Sequence, residues 1–114
     1  MPNPVVHFEI GCRNRESTVA FYEALFAWTM SPNEIATEIV TGPDEPVTGH
    51  IVNLGHAPFH YTQFYVKVPD LTATLEQAVT LGGKILVPPV PTPTGGMFAW
   101  FQDPEGNTVG LIEG

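Results

Sequence analysis

The feature that most constrains the fold of this 114-residue sequence is an internal repeat. A shift of 56 residues places the stretch HFEIGCRN, residues 7–14, over QFYVKVPD, residues 63–70. Phe8 then falls on Phe64, and Asn14 falls on Asp70, two residue types that commonly precede helices. Few residues are identical, but a repeat of this kind predicts two similar supersecondary units within one chain.

The first half of the repeat predicts the element order βαβββ. Residues 4–11 alternate as a strand does, and residues 15–28 have apolar side chains at helical spacing. Within the first strand, Val6, Phe8 and Ile10 form an apolar face that we expect to pack beneath the helices. Further strands are predicted near 28–30, 35–40 and 49–54, with the turn PDEP between the last two.

The second half predicts the same order again. A strand at 61–68 is followed by a helix at 71–81, which Gly82 and Gly83 end. Strands are predicted at 84–88, 96–102 and 107–113, with a loop at 90–96 and a tight DPEG turn at 103–106. Together the halves predict an α+β fold, in which two tandem βαβββ modules form a curved mixed sheet with a concave cleft and helices outside. The predicted bounds are 1–55 for module one, 56–60 for a linker and 61–114 for module two.

The charge balance limits the partners that this chain can have. Twelve acidic residues against four Lys and Arg give a net charge of −8. Nucleic acids and anionic membranes bind basic surfaces, so we expect neither as a partner. We find no signal-peptide pattern and no apolar run approaching the roughly 18 residues of a membrane span, and we therefore expect a cytoplasmic protein. The single cysteine, Cys12, excludes an internal disulfide and a cysteine-cluster metal site.

Three stretches carry a resemblance to a known superfamily. VVHFEIGCRNRESTVAFYEALFAW is similar to its opening strand and helix, with Ala27 where glycine is usual. VPDLTATLEQAVTLGGKIL resembles the opening of its second module, and FAWFQDPEGNTVGLIE resembles its closing hairpin. These stretches resemble the vicinal oxygen chelate superfamily of glyoxalase I, bleomycin-resistance proteins, extradiol dioxygenases and fosfomycin-resistance proteins. The resemblance extends over nearly the whole chain and implies the same two-module fold.

The resemblance also implies a metal site, and each expected ligand position can be compared with the residue that this sequence has there. In the family a divalent metal acts as a Lewis acid on adjacent substrate oxygens. Its usual ligands are His or Gln on each module's first strand, here His7 and Gln63, and Glu on each last strand. The second last-strand position, seven residues after Asp103, is Gly110, and overlaying VTGHIV on TVGLIE gives Gly49 for the first. Glycine has no side chain to bind a metal, so we predict no complete metal site and no cofactor.

Other side chains could replace the missing carboxylates. Glu9 lies two residues after His7 on the same strand and therefore faces the same side of the sheet, which makes it the best replacement. His50 is adjacent to Gly49, and alternation predicts that it faces the opposite side of the sheet unless a bulge intervenes. His56 and His60 could reach a site only from a loop. A divalent metal therefore remains an alternative, held by His7, Gln63 and Glu9.

Strand alternation predicts a pocket of aromatic and polar side chains. An aromatic wall with few polar groups is typical of small-molecule sites, and a carboxylate near aromatic rings suits a cationic or aromatic ligand. Aromatic residues on strands also fit core positions, and Glu9 also fits a solvated strand face. The predicted ligand-binding residues are His7, Glu9, Gln63, Tyr65, Phe98 and Trp100.

Three functions are compatible with these features. The first is binding of a small molecule without a complete metal site, and it assigns no catalytic residue. The second is a metal-dependent enzyme of lyase, isomerase or dioxygenase type. The third is an accessory domain that serves only dimerisation. The resemblance also implies a homodimer.

Overall fold

The computed structural model describes residues 2–92 and 95–114. Within those residues, two helices and eight strands follow one another in the predicted order. Their bounds are β1 Val5–Gly11, α1 Arg15–Phe26, β2 Thr29–Pro32, β3 Ala36–Val40, β4 Thr48–Val52, β5 Tyr61–Val68, α2 Leu71–Thr80, β6 Lys84–Pro91, β7 Met97–Gln102 and β8 Thr108–Glu113. No helix in this part of the chain is long and apolar enough to cross a membrane.

The described chain forms two compact units. Val6–Gln63 is the first unit, and residues 2–5 with Phe64–Gly114 are the second unit. In the first unit the strand order is β2-β3-β4-β1, with β1 parallel to β4 and the other neighbours antiparallel. In the second unit the order is β6-β7-β8-β5, with β5 parallel to β8 and the other neighbours antiparallel. Residues 61–63 at the start of β5 belong to the first unit. The predicted α+β class and its two βαβββ modules are confirmed.

The core of the first unit lies between its strands and α1. Asn14 begins this helix by accepting a hydrogen bond from the Ser17 backbone N–H at 3.0 Å. The helix ends at Ala27, which has the left-handed φ of 57° that glycine usually adopts. The buried side chains of this core are Ile10, Cys12, Ile39 and Ile51, and Phe8, Val19, Tyr22, Trp28 and Met30 pack against them. The predicted core positions of Phe8 and Ile10 are therefore correct.

The core of the second unit lies beneath α2. Asp70 begins this helix by accepting from the Ala73 backbone N–H at 3.0 Å, and Glu113 Oε2 accepts from the Leu71 N–H at 2.9 Å. The carboxylate of the last strand thus stabilises the start of the helix. The buried core residues are Val68, Leu71, Leu75, Ala99 and Leu111.

Strand β6 is longer than its sequence predicts. It continues to Pro91 instead of ending at residue 88, so the predicted loop at 90–96 begins later, and residues 93 and 94 of that loop lie outside the described residues. Proline is tolerated at the edge of a sheet because a missing N–H disrupts no interior ladder. Two register shifts between β6 and β7, at Ile85/Val87 and Val87/Val90, accommodate the irregular pairing.

Candidate functional site

The face of the first-unit sheet opposite α1 carries several polar side chains. His7 and Glu9 point to this face because Phe8 and Ile10 point into the core. The parallel register pairs His7 with Thr48 and Glu9 with His50, and register partners in neighbouring strands share a face. Glu38 on β3 pairs with His50 and adds a second, exposed carboxylate.

Five side chains on this face form a continuous series, Thr48–His7–His50–Glu9–Tyr61, which we call the polar series. Thr48 Oγ1 lies 2.8 Å from His7 Nδ1, and His7 Nε2 lies 2.7 Å from His50 Nδ1. His50 Nε2 lies 3.3 Å from Glu9 Oε1, and the Tyr61 hydroxyl donates a hydrogen bond to Glu9 Oε2. The series thus connects an exposed threonine to a buried carboxylate.

Burial differs sharply along the polar series. Glu9 is 3% exposed, whereas the His50 side chain is 23% exposed and Thr48 lies at the surface. A buried carboxylate is costly unless donors surround it, and Tyr61 and His50 contribute to that role. Burial, and secondarily the neighbouring His50, lower the pKa of His7 from 6.5 to about 4, although Glu9 acts in the opposite direction. His7 is therefore a neutral imidazole at neutral pH.

Gly11 leaves room for the tyrosine that reaches Glu9. A Cβ atom built on Gly11 would overlap the ring of Tyr61. Gly11 lies on the same face of β1 as Glu9, two residues further along. The absence of a side chain at this position allows the Tyr61 ring to lie over the strand and its hydroxyl to contact the carboxylate.

The predicted direction of His50 is wrong. Gly49, not His50, faces the core, because Gly49 pairs with Phe8 and a Cβ atom on it would overlap the Phe8 ring. The overlay that matched Gly49 with Gly110 is displaced by one residue, which inverts the side of the sheet that each side chain faces. Glu9 and Tyr65 correspond in the repeat, and their register partners are His50 and Gly110. His50 therefore occupies the position equivalent to Gly110.

In the second unit, the face opposite α2 carries the aromatic residues of the predicted pocket. Trp100 Nε1 donates to the Tyr65 hydroxyl at 2.8 Å, and these residues are 9% and 4% exposed. Gly110 pairs with both of them, and a Cβ atom on Gly110 would overlap the Tyr65 ring. Phe98 lies two residues before Trp100 and is half-buried. The glycine at the expected carboxylate position thus provides space for a tyrosine ring.

A family comparison agrees with these observations. The model of the Glyoxalase/Bleomycin resistance protein/Dioxygenase superfamily matches residues 29–111. The chain belongs to this superfamily. It is 33% identical over 100 residues to CFP32 of Mycobacterium bovis, which is named as a candidate glyoxylase. That match covers 83% of this chain but only 38% of the length of CFP32.

Other relatives match more of their own length. A glyoxylase-like domain-containing protein of Didymella fabae is 31% identical over 114 residues, covering 88% of this chain and 85% of that protein. Among solved structures, methylmalonyl-CoA epimerase from Mycobacterium tuberculosis gives a TM-score of 0.75 at 12% identity, over 96% of this chain and 86% of that one. The hypothetical protein BH1468 from Bacillus halodurans gives 0.74 at 12% identity, over 100% and 96%. At this identity the structural likeness shows the fold alone.

The residues present do not fit a complete metal site of the superfamily type. His7 Nε2 and His50 Nδ1 contact each other, and the remaining ring nitrogens face Thr48 and Glu9. Across residues 2–92 and 95–114, no group of three or more His, Cys, Asp or Glu side chains is arranged to hold a metal ion. Gly110 supplies no donor. His56 and His60 lie between β4 and β5, outside both strands.

The predicted site residues fall into two groups. His7, Glu9 and Gln63 belong to the first unit, where His7 is connected to Glu9 through His50 and where Gln63 is 6% exposed. Tyr65, Phe98 and Trp100 belong to the second unit, where Tyr65 and Trp100 are hydrogen-bonded.

Sequence reasoning did not assign Thr48, His50 or Tyr61 to the site. Tyr61 has the parity of Gln63 and Tyr65 on β5, so strand alternation could have identified it. Thr48 and His50 depend on the register between β1 and β4, which the sequence does not specify to within one residue.

Proposed function

We propose that this member of the superfamily binds a small cationic or aromatic molecule, and that it does so without a complete metal site. The observation that carries the proposal is the polar series, which places a buried carboxylate and two imidazoles on a sheet face that no helix of its own unit covers. Glu9 and Glu38 lie on this face, while His7 is neutral at neutral pH, so the face favours a positive charge.

Aromatic ligands are also supported by a separate surface, within the second unit taken by itself. The indole of Trp100 and the phenol of Tyr65 are fixed against each other by their hydrogen bond, and Phe98 lies on the same face. Aromatic faces bind cations and planar rings, and the half-buried Phe98 is the accessible member of this group, since Tyr65 and Trp100 are buried.

The proposal is tested by a thermal-shift screen of cationic drugs and neutral aromatic compounds. We expect compounds of these classes to raise the melting temperature of the wild-type protein, and Glu9→Gln to reduce the shift. Glu23→Gln is the matched control, because it makes the same chemical change at an exposed position of α1, on the other side of the sheet. If no compound of either class changes the melting temperature, the proposal is wrong.

The second candidate function is a metal-dependent enzyme of lyase, isomerase or dioxygenase type. It would use His7, Gln63 and Glu9, and the position of His50 favours it by adding a second imidazole beside His7. Metal analysis of protein purified without a histidine tag separates the two candidates. A stoichiometric content of zinc, nickel, iron or manganese would overturn the metal-free proposal in favour of this one.

Assembly and location also stay predictions. We expect a homodimer, and sedimentation at micromolar concentration would contradict this if it gave only the monomer mass. A cytoplasmic location is tested by fractionation of the source cells.

A further inference from the structure

We infer that Glu9 fixes the tautomers of both histidines in the polar series, so that His7 presents Nδ1 as a hydrogen-bond acceptor and the site takes ligands that donate N–H or O–H. Glu9 is in this sense a positioning residue, since it acts on the ligand through His50 and His7. The ligand class rests on the proposed function, whereas the order of the tautomers does not.

The first step concerns His50. A neutral imidazole has one N–H donor and one acceptor nitrogen, whereas a carboxylate only accepts. His50 Nε2 faces Glu9 Oε1 at 3.3 Å, and Tyr61 donates to the other oxygen. The hydrogen of His50 is therefore on Nε2, because two acceptors facing each other would repel. In the neutral form of this ring, Nδ1 is left as the acceptor.

The second step concerns His7. His7 Nε2 lies 2.7 Å from His50 Nδ1, a distance at which one of the two nitrogens must donate. Since His50 Nδ1 accepts, His7 Nε2 carries the hydrogen, and His7 Nδ1 has only a lone pair. The Thr48 hydroxyl, 2.8 Å away, donates to that lone pair. Each residue from Thr48 at the surface to His50 thus donates a hydrogen bond to the next one, and Glu9 accepts the last.

The third step concerns the ligand. The contact between Thr48 and His7 is exposed, whereas Glu9 is 3% exposed, so a ligand reaches the series at its threonine end. There the Thr48 oxygen, having donated its hydrogen to His7, offers lone pairs, and Glu38 on the same face adds a carboxylate. A group that replaces the threonine hydroxyl at His7 Nδ1 must also donate. Ammonium, amidinium and hydroxyl groups fit this requirement, whereas carboxylates and phosphates do not.

One isosteric substitution should remove the fixed order. In Glu9→Gln the amide can present either its oxygen or its NH₂ group to His50 Nε2, because the Tyr61 hydroxyl can accept as well as donate. His50 can then carry its hydrogen on Nε2 or on Nδ1, and the tautomer of His7 follows that of His50. A residue with a merely structural role would alter stability and leave one tautomer in place.

The tautomers can be measured directly by nitrogen NMR of the imidazole rings at neutral pH. In the wild-type protein and in Glu38→Gln we expect the hydrogen on Nε2 of both His7 and His50. In Glu9→Gln we expect the Nδ1 tautomer of both histidines to become populated. A wild-type His7 with its hydrogen on Nδ1, or a Glu9→Gln spectrum that shows only the Nε2 tautomers, would overturn the inference.

The wild-type spectrum tests the assignment even if Glu9→Gln does not fold. Tyr61→Phe provides a second variant, because it removes a donor to Glu9 and leaves the carboxylate as an acceptor. We expect it to retain both Nε2 tautomers, and a reversal in this variant would contradict the role assigned to Glu9.

The ligand class is tested with two probes of similar size and opposite hydrogen-bonding character, benzylammonium and benzoate. We expect calorimetric titration of the wild-type protein to show benzylammonium binding at least about tenfold more tightly, and Glu9→Gln to reduce that preference. Tighter binding of benzoate would overturn the ligand class while supporting a small-molecule site. Binding of neither probe would count against both the proposed function and the ligand class, and the NMR measurement would still decide the role of Glu9.

Discussion

The two units have the same topology, but equivalent positions carry polar side chains in the first unit and an aromatic ring over a glycine in the second. Glu9 and Tyr65 correspond in the repeat, and each pairs with a residue on the parallel neighbouring strand, His50 in the first unit and Gly110 in the second. In the first unit that pair joins a carboxylate to an imidazole, and in the second a phenol ring occupies the space over a glycine. The helix-facing side chains maintain the topology, so the other face can differ between the units.

The largest expected effect concerns a pair of phenylalanines that the repeat makes equivalent. Phe8 packs against the first-unit core, whereas Phe64 is 45% exposed. We expect Phe8→Asp to lower the free energy of unfolding by about 4 kcal/mol or to prevent folding, because it places a charge in an apolar cluster. Phe64→Asp should cost about 1 kcal/mol. Urea denaturation measures the free energy of unfolding of both variants. If the two substitutions lowered it equally, the expected difference between the buried and the exposed phenylalanine would be wrong.

The next effect concerns the ring over Gly110. We expect Gly110→Ala to cost about 2 kcal/mol, because its Cβ atom would overlap the Tyr65 ring. The cost should fall to about 0.5 kcal/mol in a Tyr65→Ala background, which a double-mutant cycle measures. Gly96→Ala is the control, since the nearest atom to its Cβ position is 3.5 Å away. A cost at Gly110 that persists without the tyrosine ring would contradict this explanation.

The polar series should make stability depend on pH. The pKa of His7 is about 4 in the folded protein and near 6.5 in the unfolded chain, so between these values the unfolded state binds a proton that the folded state does not. The free energy of unfolding should therefore fall as the pH drops from 6.5 to 4, by about 1 kcal/mol after solvent screening. In His7→Gln this contribution should disappear. Chemical denaturation across the range tests it, and an unchanged slope in the variant would exclude His7 as the cause.

The smallest effect concerns the end of α1. Ala27 has a left-handed φ of 57°, where its Cβ atom is strained and glycine is not. We expect Ala27→Gly to raise the free energy of unfolding by about 0.5 kcal/mol, since relief of strain exceeds the added entropy of the unfolded chain. The other helix ends at Leu81, whose φ is −86°, so Leu81→Gly should not stabilise the protein. A loss of stability in Ala27→Gly would show that the strain is small.

The sequence predicts the fold well because several local signals agree. The repeat, the caps at Asn14 and Asp70 and the alternation of β1 and β5 each indicate the same element order, and the structure confirms it. The alternation also places His7 and Glu9 correctly on the face opposite the core. The caps and the alternation depend only on neighbouring residues, and the repeat compares one stretch of sequence with another, so none of these signals requires knowledge of strand pairing.

The candidate site is less predictable because it depends on register. Gly49 and His50 are adjacent, and only the pairing with Phe8 and Glu9 determines which of them faces the core. A one-residue displacement between two strands exchanges the faces of all their side chains, and the sequence TGHIV is compatible with either choice. Tyr61 was missed for another reason, because its equivalent in the repeat is Val5, which suggests no polar role.

The residue at position 11 determines how closely the Tyr61 hydroxyl can approach the carboxylate of Glu9. Because the Tyr61 ring lies where a side chain at position 11 would project, the size of that residue sets how near the phenol can come to Glu9. Gly11→Ala would therefore displace the Tyr61 ring. It would separate the phenol from Glu9 with every atom of the carboxylate retained.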